Sequence, residues 1–296
     1  MTSDLTSPRR YAIISPVRDE EAYLRLTARS VVAQTIRPAE WVIVNDGSRD
    51  QTPGIIEEYR QQYPWIRAVH RVNRGCRKSG SGVMEAFKDG YAALTCQDWE
   101  FIVKLDGDLS FDDDYFEKCF ERFDREPRLG VGGGVIYDQM PDGTQKFELG
   151  GPTFHVRGAT KIYRRSCWED IGGLWSVTGW DTLDEVKANM RGWVTRSFAD
   201  VRLVQHRATG TAEGQWRNLV KNGKANYISG YHPLFMLAKC ISRLRRRPYL
   251  AGSIALAYGF ITGYLKRAPQ VNDPELIRYL RAAQLGRLWG RETIWR

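Results

Sequence analysis

Asp106 and Asp108, two apart in KLDGDLS, are the pair in this sequence whose type and spacing most readily suggest chemistry. Hard carboxylate oxygens so placed suit Mg2+ or Mn2+ held against a diphosphate, and Gly107 between them leaves room for a ligand to approach the backbone. A plain acidic turn has the same composition. Asp46 ends another apolar run, WVIVND, and residues 73–82, NRGCRKSGSG, carry the glycines and cations of an anion-binding turn. The GxxxxGK[ST] spacing of a phosphate-binding loop is absent, so that segment also fits a solvated basic loop.

The elements that must position these residues are legible around them. YAIISP (11–16), WVIVND (41–46), IRAVHR (66–71) and FIVKLD (101–106) are short apolar runs ending in polar residues, as buried strands do. Helical patterns lie between and after them at Glu20 to Gln34, Thr52 to Gln62, Gly82 to Leu94 and Asp113 to Asp124. The alternation predicts an α/β fold with a mostly parallel sheet and right-handed crossovers. In such sheets ligands bind beyond the carboxyl ends of the strands, where Asp46, Asp106 and Asp108 fall. The rhythm then loosens through LGVGGGVIYD and ATKIYRRS. A helix is expected from Thr182 to Met190, and helices again from Gln215 to Tyr227, His232 to Arg246, Tyr249 to Lys266 and Pro274 to Leu288.

The chain has 296 residues and a net charge of +9, all of it in the last 66 residues, where 12 Lys and Arg face 3 Asp and Glu. The preceding 230 residues balance at 32 of each sign, which sets the expected division into a catalytic domain, 1–230, and a basic helical extension, 231–296. Nucleic-acid binding is disfavoured, because the positive charge is confined to a segment interrupted by an apolar helix. That helix, residues 248–265, has 18 residues without a charge, flanked by Arg245, Arg246 and Arg247 and by Lys266 and Arg267. At 1.5 Å per residue it reaches about 27 Å, borderline for a bilayer. An interfacial helix pair on anionic lipid, and a buried core or dimer helix, are both compatible with it, and the Gly259 and Gly263 spacing permits close helix contact. The five cysteines are scattered and odd in number, which favours a reducing compartment over a disulfide or zinc framework. With a polar N-terminus lacking an apolar stretch, the expected location is cytoplasmic, peripheral on the inner face of the cell membrane.

ISPVRDEE (14–21), VIVNDGSRDQT (42–52), the loop from Asn73 to Gly82, VKLDGD (103–108), GWDTLDE (179–185) and VQHR (204–207) occur in an order that resembles family 2 glycosyltransferases, nucleotide-sugar enzymes of the GT-A fold. The resemblance spans roughly Tyr11 to Arg207 and implies a Rossmann-like sheet flanked by helices. It places Pro16, Arg18 and Glu20 on the first loop lining the nucleotide and Asp46 against the base. Lys78 and Gly80 fall in the donor loop, Asp106 on the ribose side and Asp108 on the metal, with His206 as a further metal ligand. Glu20 also fits a helix N-terminal acid, Asp46 a turn former, and His206 a packed core histidine.

Counting back from the arginine-glycine-tryptophan that closes the acidic segment puts Asp181 on the family's base, with Asp184 as second candidate. The glutamate that precedes the base in the family is Trp180 here, a departure. Asp181 and Asp184 also fit an N-cap and a variant capping box. Gly158, Arg164 and Arg165 fall on the segment that meets acceptor and donor sugar. The resemblance thus implies a metal-dependent, inverting hexosyl-type transferase moving a sugar from a nucleotide diphosphate to the hydroxyl of a glycan or lipid-linked acceptor, in cell-envelope polysaccharide or glycolipid synthesis. Rival readings are a nucleotidyltransferase, disfavoured because ISPVRDEE lacks a glycine-rich triphosphate loop, and a nucleotide-sugar-binding protein without turnover.

Overall fold

The four apolar runs of the first half form the parallel part of one sheet: β1 (Tyr11–Val17), β2 (Glu40–Asn45), β3 (Ile66–His70) and β4 (Phe101–Leu105). The computed structural model describes residues 9–75, 81–140, 142–147, 152–207, 214–245 and 248–295. Alternate residues of these strands enter opposite cores. Tyr11, Ile13, Trp41 and Ile43 face α1 (Leu24–Val32), α2 (Thr52–Gln62) and α4 (Tyr115–Arg125), while Ala12, Ile14, Val42 and Val44 face α3 (Ser81–Ala92). Burial on both faces is why the strands read as continuous apolar runs rather than as alternating ones.

Beyond β4 the sheet turns mixed. Its order is β3-β2-β1-β4-β8-β6-β9-β5, built with β5 (Leu109–Phe111), β6 (Leu129–Gln139), β8 (Thr160–Arg164) and β9 (Val194–Gln205), and β7 (Gln145–Phe147) pairs with β6. β8 runs antiparallel to β4, which brings Thr160 beside Leu105 and carries Arg164 to the opposite end of the sheet beside Phe101. The glycines of β6 are a packing requirement: a Cβ on Gly132 would lie 2.5 Å from the Phe198 ring. Two helices, α5 (Arg165–Ile171) and α6 (Trp180–Met190), connect β8 to β9.

The helical end comprises α7 (Gln215–Ile228), α8 (Pro233–Arg243), α9 (Tyr249–Leu265) and α10 (Pro274–Leu288), close to the expected spans. The composition step at Gly230 falls between α7 and α8, inside a shared core: Leu183 and Val186 of α6 cluster with Tyr227, Leu256, Phe260, Leu276 and Leu280. The glycine face of α9 is used within the chain. A Cβ on Gly259 would sit 2.0 Å from the Val220 carbonyl oxygen and one on Gly223 2.0 Å from that of Leu256, so α7 and α9 cross with backbones nearly touching. No described helix is long and apolar enough to cross a membrane. The opposite face of α9 presents Leu250, Ile254, Tyr258, Ile261 and Leu265 to solvent, and α8 exposes Leu234, Leu237, Ile241 and Leu244.

Candidate active site

The carboxyl ends of β1, β2 and β4 lie on one edge of the sheet, and the acids that end these strands gather there. Asp108 is 6% exposed, and its Oδ1 is buried without a hydrogen-bond partner. Its Oδ2 accepts from Gln205 Nε2 at 3.2 Å, and Arg157 donates to Gln205 Oε1 at 2.9 Å, which fixes the amide's orientation. Burial, reinforced by Asp106, pushes the Asp108 carboxyl up to about 6. A buried carboxylate with a spare oxygen lone pair, beside a second acid, is what an oxygen-seeking divalent cation relieves, so the pair fits such an ion. Gly107 has a different duty from the one its position suggested: a Cβ there would lie 2.6 Å from Val17, so its bareness serves packing against β1.

Asp106 is partly exposed and its backbone N–H donates to the Ala159 carbonyl at 2.8 Å. Lys104, on the otherwise apolar β4, is 2% exposed and donates both to Asp106 and to the Gly158 carbonyl. Gly158 in turn faces α6: a Cβ on it would meet Asp181 Cβ at 3.2 Å and the Trp180 ring at 3.0 Å. One buried lysine and one glycine therefore join the acid pair to the candidate base.

The start of α6 decides between capping and chemistry for Asp181. Its N-cap is Gly179, at φ +90°, with no side-chain cap bond, and the N–H groups of Thr182 and Leu183 go to the Gly179 carbonyl. Asp181 lies in the first turn, partly exposed, and is not a cap. Asp184 is also no cap, and it does not reach solvent. It is wholly buried, accepting from Lys161 Nζ at 2.9 Å on both oxygens and from the Tyr163 hydroxyl at 2.5 Å. Burial raises its carboxyl to about 6 although Lys161 pulls the other way. Lys161 also lies 2.9 Å from Glu185 and donates to the Asp181 carbonyl. Asp184 thus belongs to the support beneath Asp181, and the reading of it as an alternative base fails on access.

The first loop is clamped from across the cleft. Glu20 accepts from both terminal nitrogens of Arg207, at 2.9 and 2.8 Å, and its backbone N–H donates to Thr52 Oγ1 at 2.8 Å. Pro16 is a partly buried residue of β1, and Arg18 donates to Asn73 at 3.3 Å and lies 3.8 Å from Asp46. Asp46 is held by Arg71 and Arg74, each at 2.6 Å, so the buried carboxylate gathers guanidinium groups at the carboxyl end of β2. Lys78 and Gly80 lie outside the described residues.

Two expectations meet other partners in the structure. The His206 ring bonds Ser110 Oγ at 2.8 Å and stacks on Tyr23 at 6.1 Å, and among the described residues no three His, Cys, Asp or Glu side chains converge as a metal cluster. Strand alternation explains it, since Gln205 is the residue that faces Asp108. Arg164 and Arg165 are at the far end of the sheet, where Arg164 donates to the carbonyls of Leu129 and Phe123 and Arg165 to that of Gln97. They cannot meet a diphosphate bound at Asp106. The residues that sequence reasoning missed are Lys104, Lys161, Gln205, Arg157 and Arg207; a lone charge within an apolar strand, as in FIVKL and TKIYR, was the available signal for the two lysines.

The model of Glycosyl transferase family 2 matches residues 12–174. A putative glycosyltransferase of Bacillus subtilis (strain 168), EpsH, is 31% identical over 120 residues, 40% of this chain and 32% of that protein. The poly-beta-1,6-N-acetyl-D-glucosamine synthase of Staphylococcus epidermidis is 29% identical over 181 residues, 55% of this chain and 40% of that protein. The chain spans about a third of the length of the first curated relatives it matches. Among solved structures, the mannosyltransferase PcManGT of Pyrobaculum calidifontis, in complex with GDP-Man and Mn2+, superimposes with a TM-score of 0.57 at 16% identity, covering 97% of this chain and 89% of that one. That likeness carries the fold, which is the GT-A type.

Proposed function

The chain belongs to glycosyl transferase family 2, and from that premise we propose that it transfers a sugar from a nucleotide diphosphate to an acceptor hydroxyl with inversion. The observation that carries this reading is the convergence of the acid pair with Asp181, joined through Lys104 and Gly158, with Asp181 relieved of capping by Gly179. The acceptor oxygen attacks the anomeric carbon as the bond to the diphosphate oxygen breaks. Asp181 takes the hydroxyl proton, and the bonding electrons leave with the diphosphate. Asp106 and Asp108 would hold the divalent ion, which when bound neutralises charge on the departing diphosphate. Arg18, Arg71 and Arg74 stand around Asp46 on the nucleoside side, and guanidinium forks suit phosphate oxygens. The solved relative's GDP-Man and Mn2+ support a nucleotide-sugar donor and a divalent metal.

The Staphylococcus epidermidis relative is named for polymer synthesis, which supports a role in cell-envelope polysaccharide or glycolipid assembly. The exposed apolar faces of α8 and α9, beside Arg245, Lys266 and Arg267, fit an anionic lipid surface. Peripheral seating at the inner face of the membrane follows, with flotation on anionic vesicles expected and its loss in Leu250→Glu/Ile254→Glu as the check.

Donor binding is tested by a thermal-shift panel of UDP-, GDP- and dTDP-sugars with Mg2+ and Mn2+. One donor and metal pair should stabilise the chain, and that donor should be hydrolysed slowly without acceptor. No stabilisation by any pair, or full transfer by Asp181→Asn, overturns the reading.

A further inference from the structure

Behind Asp181 a cleft of about 580 Å3 opens between the start of α6 and helices α7 and α8, and neither Asp106 nor Asp108 lines it. Three cations face into it: Lys221 from α7, and Lys239 and Arg243 from α8. Among the described residues Asp181 is the one carboxylate in the lining. The two α8 cations are one turn apart, a spacing at which like charges repel. Among the described residues no carboxylate pairs with Lys239, whose ammonium lies 5.3 Å from the centre of the Tyr231 ring. Burial, with Arg243 adding to it, lowers the Lys239 ammonium to about 8. The fold therefore keeps a half-buried positive charge, without a paired carboxylate among the described residues, in the same cleft as the proposed base, an arrangement that an incoming anion would relieve.

The two faces of α8 narrow the source of that anion. Leu234, Leu237, Ile241 and Leu244 recur at helical spacing and are exposed, whereas Lys239 and Arg243 fall on the opposite side and line the cleft. One helix thus separates an apolar outer surface from a cationic inner wall. A ligand with a hydrocarbon chain in a bilayer and a charged head can satisfy both, and a soluble anion satisfies only the inner wall. Several cations around one cleft suit the charge of a phosphate or diphosphate better than that of a lone carboxylate.

We propose that this cleft is the acceptor subsite and that it takes a phosphate-linked lipid acceptor, whose phosphate is held by Lys221, Lys239 and Arg243 while the sugar it carries reaches Asp181. The proposal rests on the transferase reading and names its acceptor class. Lys239 is the discriminating residue, because it lines the cleft from the helix whose other face is apolar and no carboxylate pairs with it among the described residues.

The test is binding of the full chain to phosphatidylcholine vesicles doped with farnesyl diphosphate, against vesicles doped with farnesol and against inorganic diphosphate in solution. Farnesyl diphosphate vesicles should bind at least tenfold more tightly than either control. Lys239→Glu should lose that advantage tenfold or more, Lys221→Glu on the opposite wall should do the same, and Lys239→Arg should restore it within twofold. Farnesol vesicles binding equally well would overturn phosphate recognition, and inorganic diphosphate binding equally well would overturn the lipid source. Unchanged affinity in both charge reversals would overturn the cleft as the site. Donor hydrolysis by the wild type tests the transferase reading separately, since it requires no acceptor.

Discussion

Replacing Lys161 by Met removes the ammonium facing two carboxylates, Asp184 and Glu185, in a site where none of the three side chains reaches solvent. Truncating one partner of a buried ion pair costs about 3–5 kcal/mol, because the charge left behind has neither partner nor water. Glu185 keeps His155 at 2.8 Å and the Val156 N–H at 2.6 Å, so the loss falls mainly on Asp184. That carboxyl can escape by taking a proton. Burial already holds it at about 6 with Lys161 opposing the rise, and without Lys161 it must climb further. A carboxyl whose folded pKa exceeds its unfolded value contributes stability at low pH and loses it as pH rises through the folded value. In the wild type this window runs from the ordinary value of 3.8 to about 6; in Lys161→Met its upper end moves above 6. The deficit should therefore be smallest near pH 5 and widen with pH, by no more than about 1.4 kcal/mol per unit. By pH 8 it should reach about 3–5 kcal/mol. Urea unfolding followed by tryptophan fluorescence at pH 5, 6.5 and 8 measures it. A deficit below about 1 kcal/mol at pH 8, the value of an exposed pair, or one equal at pH 5 and pH 8, would refute the reasoning.

Asp108→Asn removes a carboxylate that burial and Asp106 both disfavour, so at pH 7.5 the metal-free variant should be more stable than the wild type by on the order of 1–3 kcal/mol. The same variant should lose the rise in melting temperature that Mn2+ gives the wild type, which differential scanning fluorimetry reads directly. Asp181→Asn should lower transfer by about 10²- to 10⁴-fold, the usual contribution of a general base, with donor stabilisation retained in the thermal-shift assay. Gly259→Leu places a side chain where even a Cβ would lie 2.0 Å from the Val220 carbonyl oxygen. It should cost at least about 1–3 kcal/mol in urea unfolding, or leave the chain insoluble.

Much of the donor half was legible because its signals are local. Four buried strands and the helices between them appear as separate apolar and periodic runs, and the acids at their ends mark the binding edge. The mixed half was harder, since the pairing of β8 with β4 joins Thr160 to Leu105 across more than fifty residues and leaves no local mark. That pairing also decides the fate of Arg164, which the sequence puts near the acceptor segment and the antiparallel strand carries away. In VQHR a single step of alternation separates Gln205, which faces Asp108, from His206, which faces Ser110. Motif position does not resolve one residue of register. Gly259 and Gly263 announced a close helix contact but not its partner, α7, because helix pairing depends on three-dimensional docking.

Trp180, the departure from the family's glutamate, has a physical reason in the buried charges around it. Its indole lies 5.5 Å from the Lys104 ammonium and 5.4 Å from that of Lys161. Those two ammonium groups are already matched by Asp106 on one side and by Asp184 and Glu185 on the other. A glutamate at the same position would add a fourth carboxylate to a site holding two cations, and its desolvation would have to be met by raising the pKa of some neighbour. The indole face attracts both ammonium groups, at about 0.5–2 kcal/mol each, without adding charge. Asp181 then remains the one carboxylate of α6 that borders the cleft, with its backbone carbonyl held by Lys161. Lys104 holds Asp106 and the Gly158 carbonyl at the end of β4. The relative placement of the acid pair and Asp181 is set by two buried lysines with an aromatic ring between them, and of the two only Lys161 can be altered without removing a partner of the acid pair.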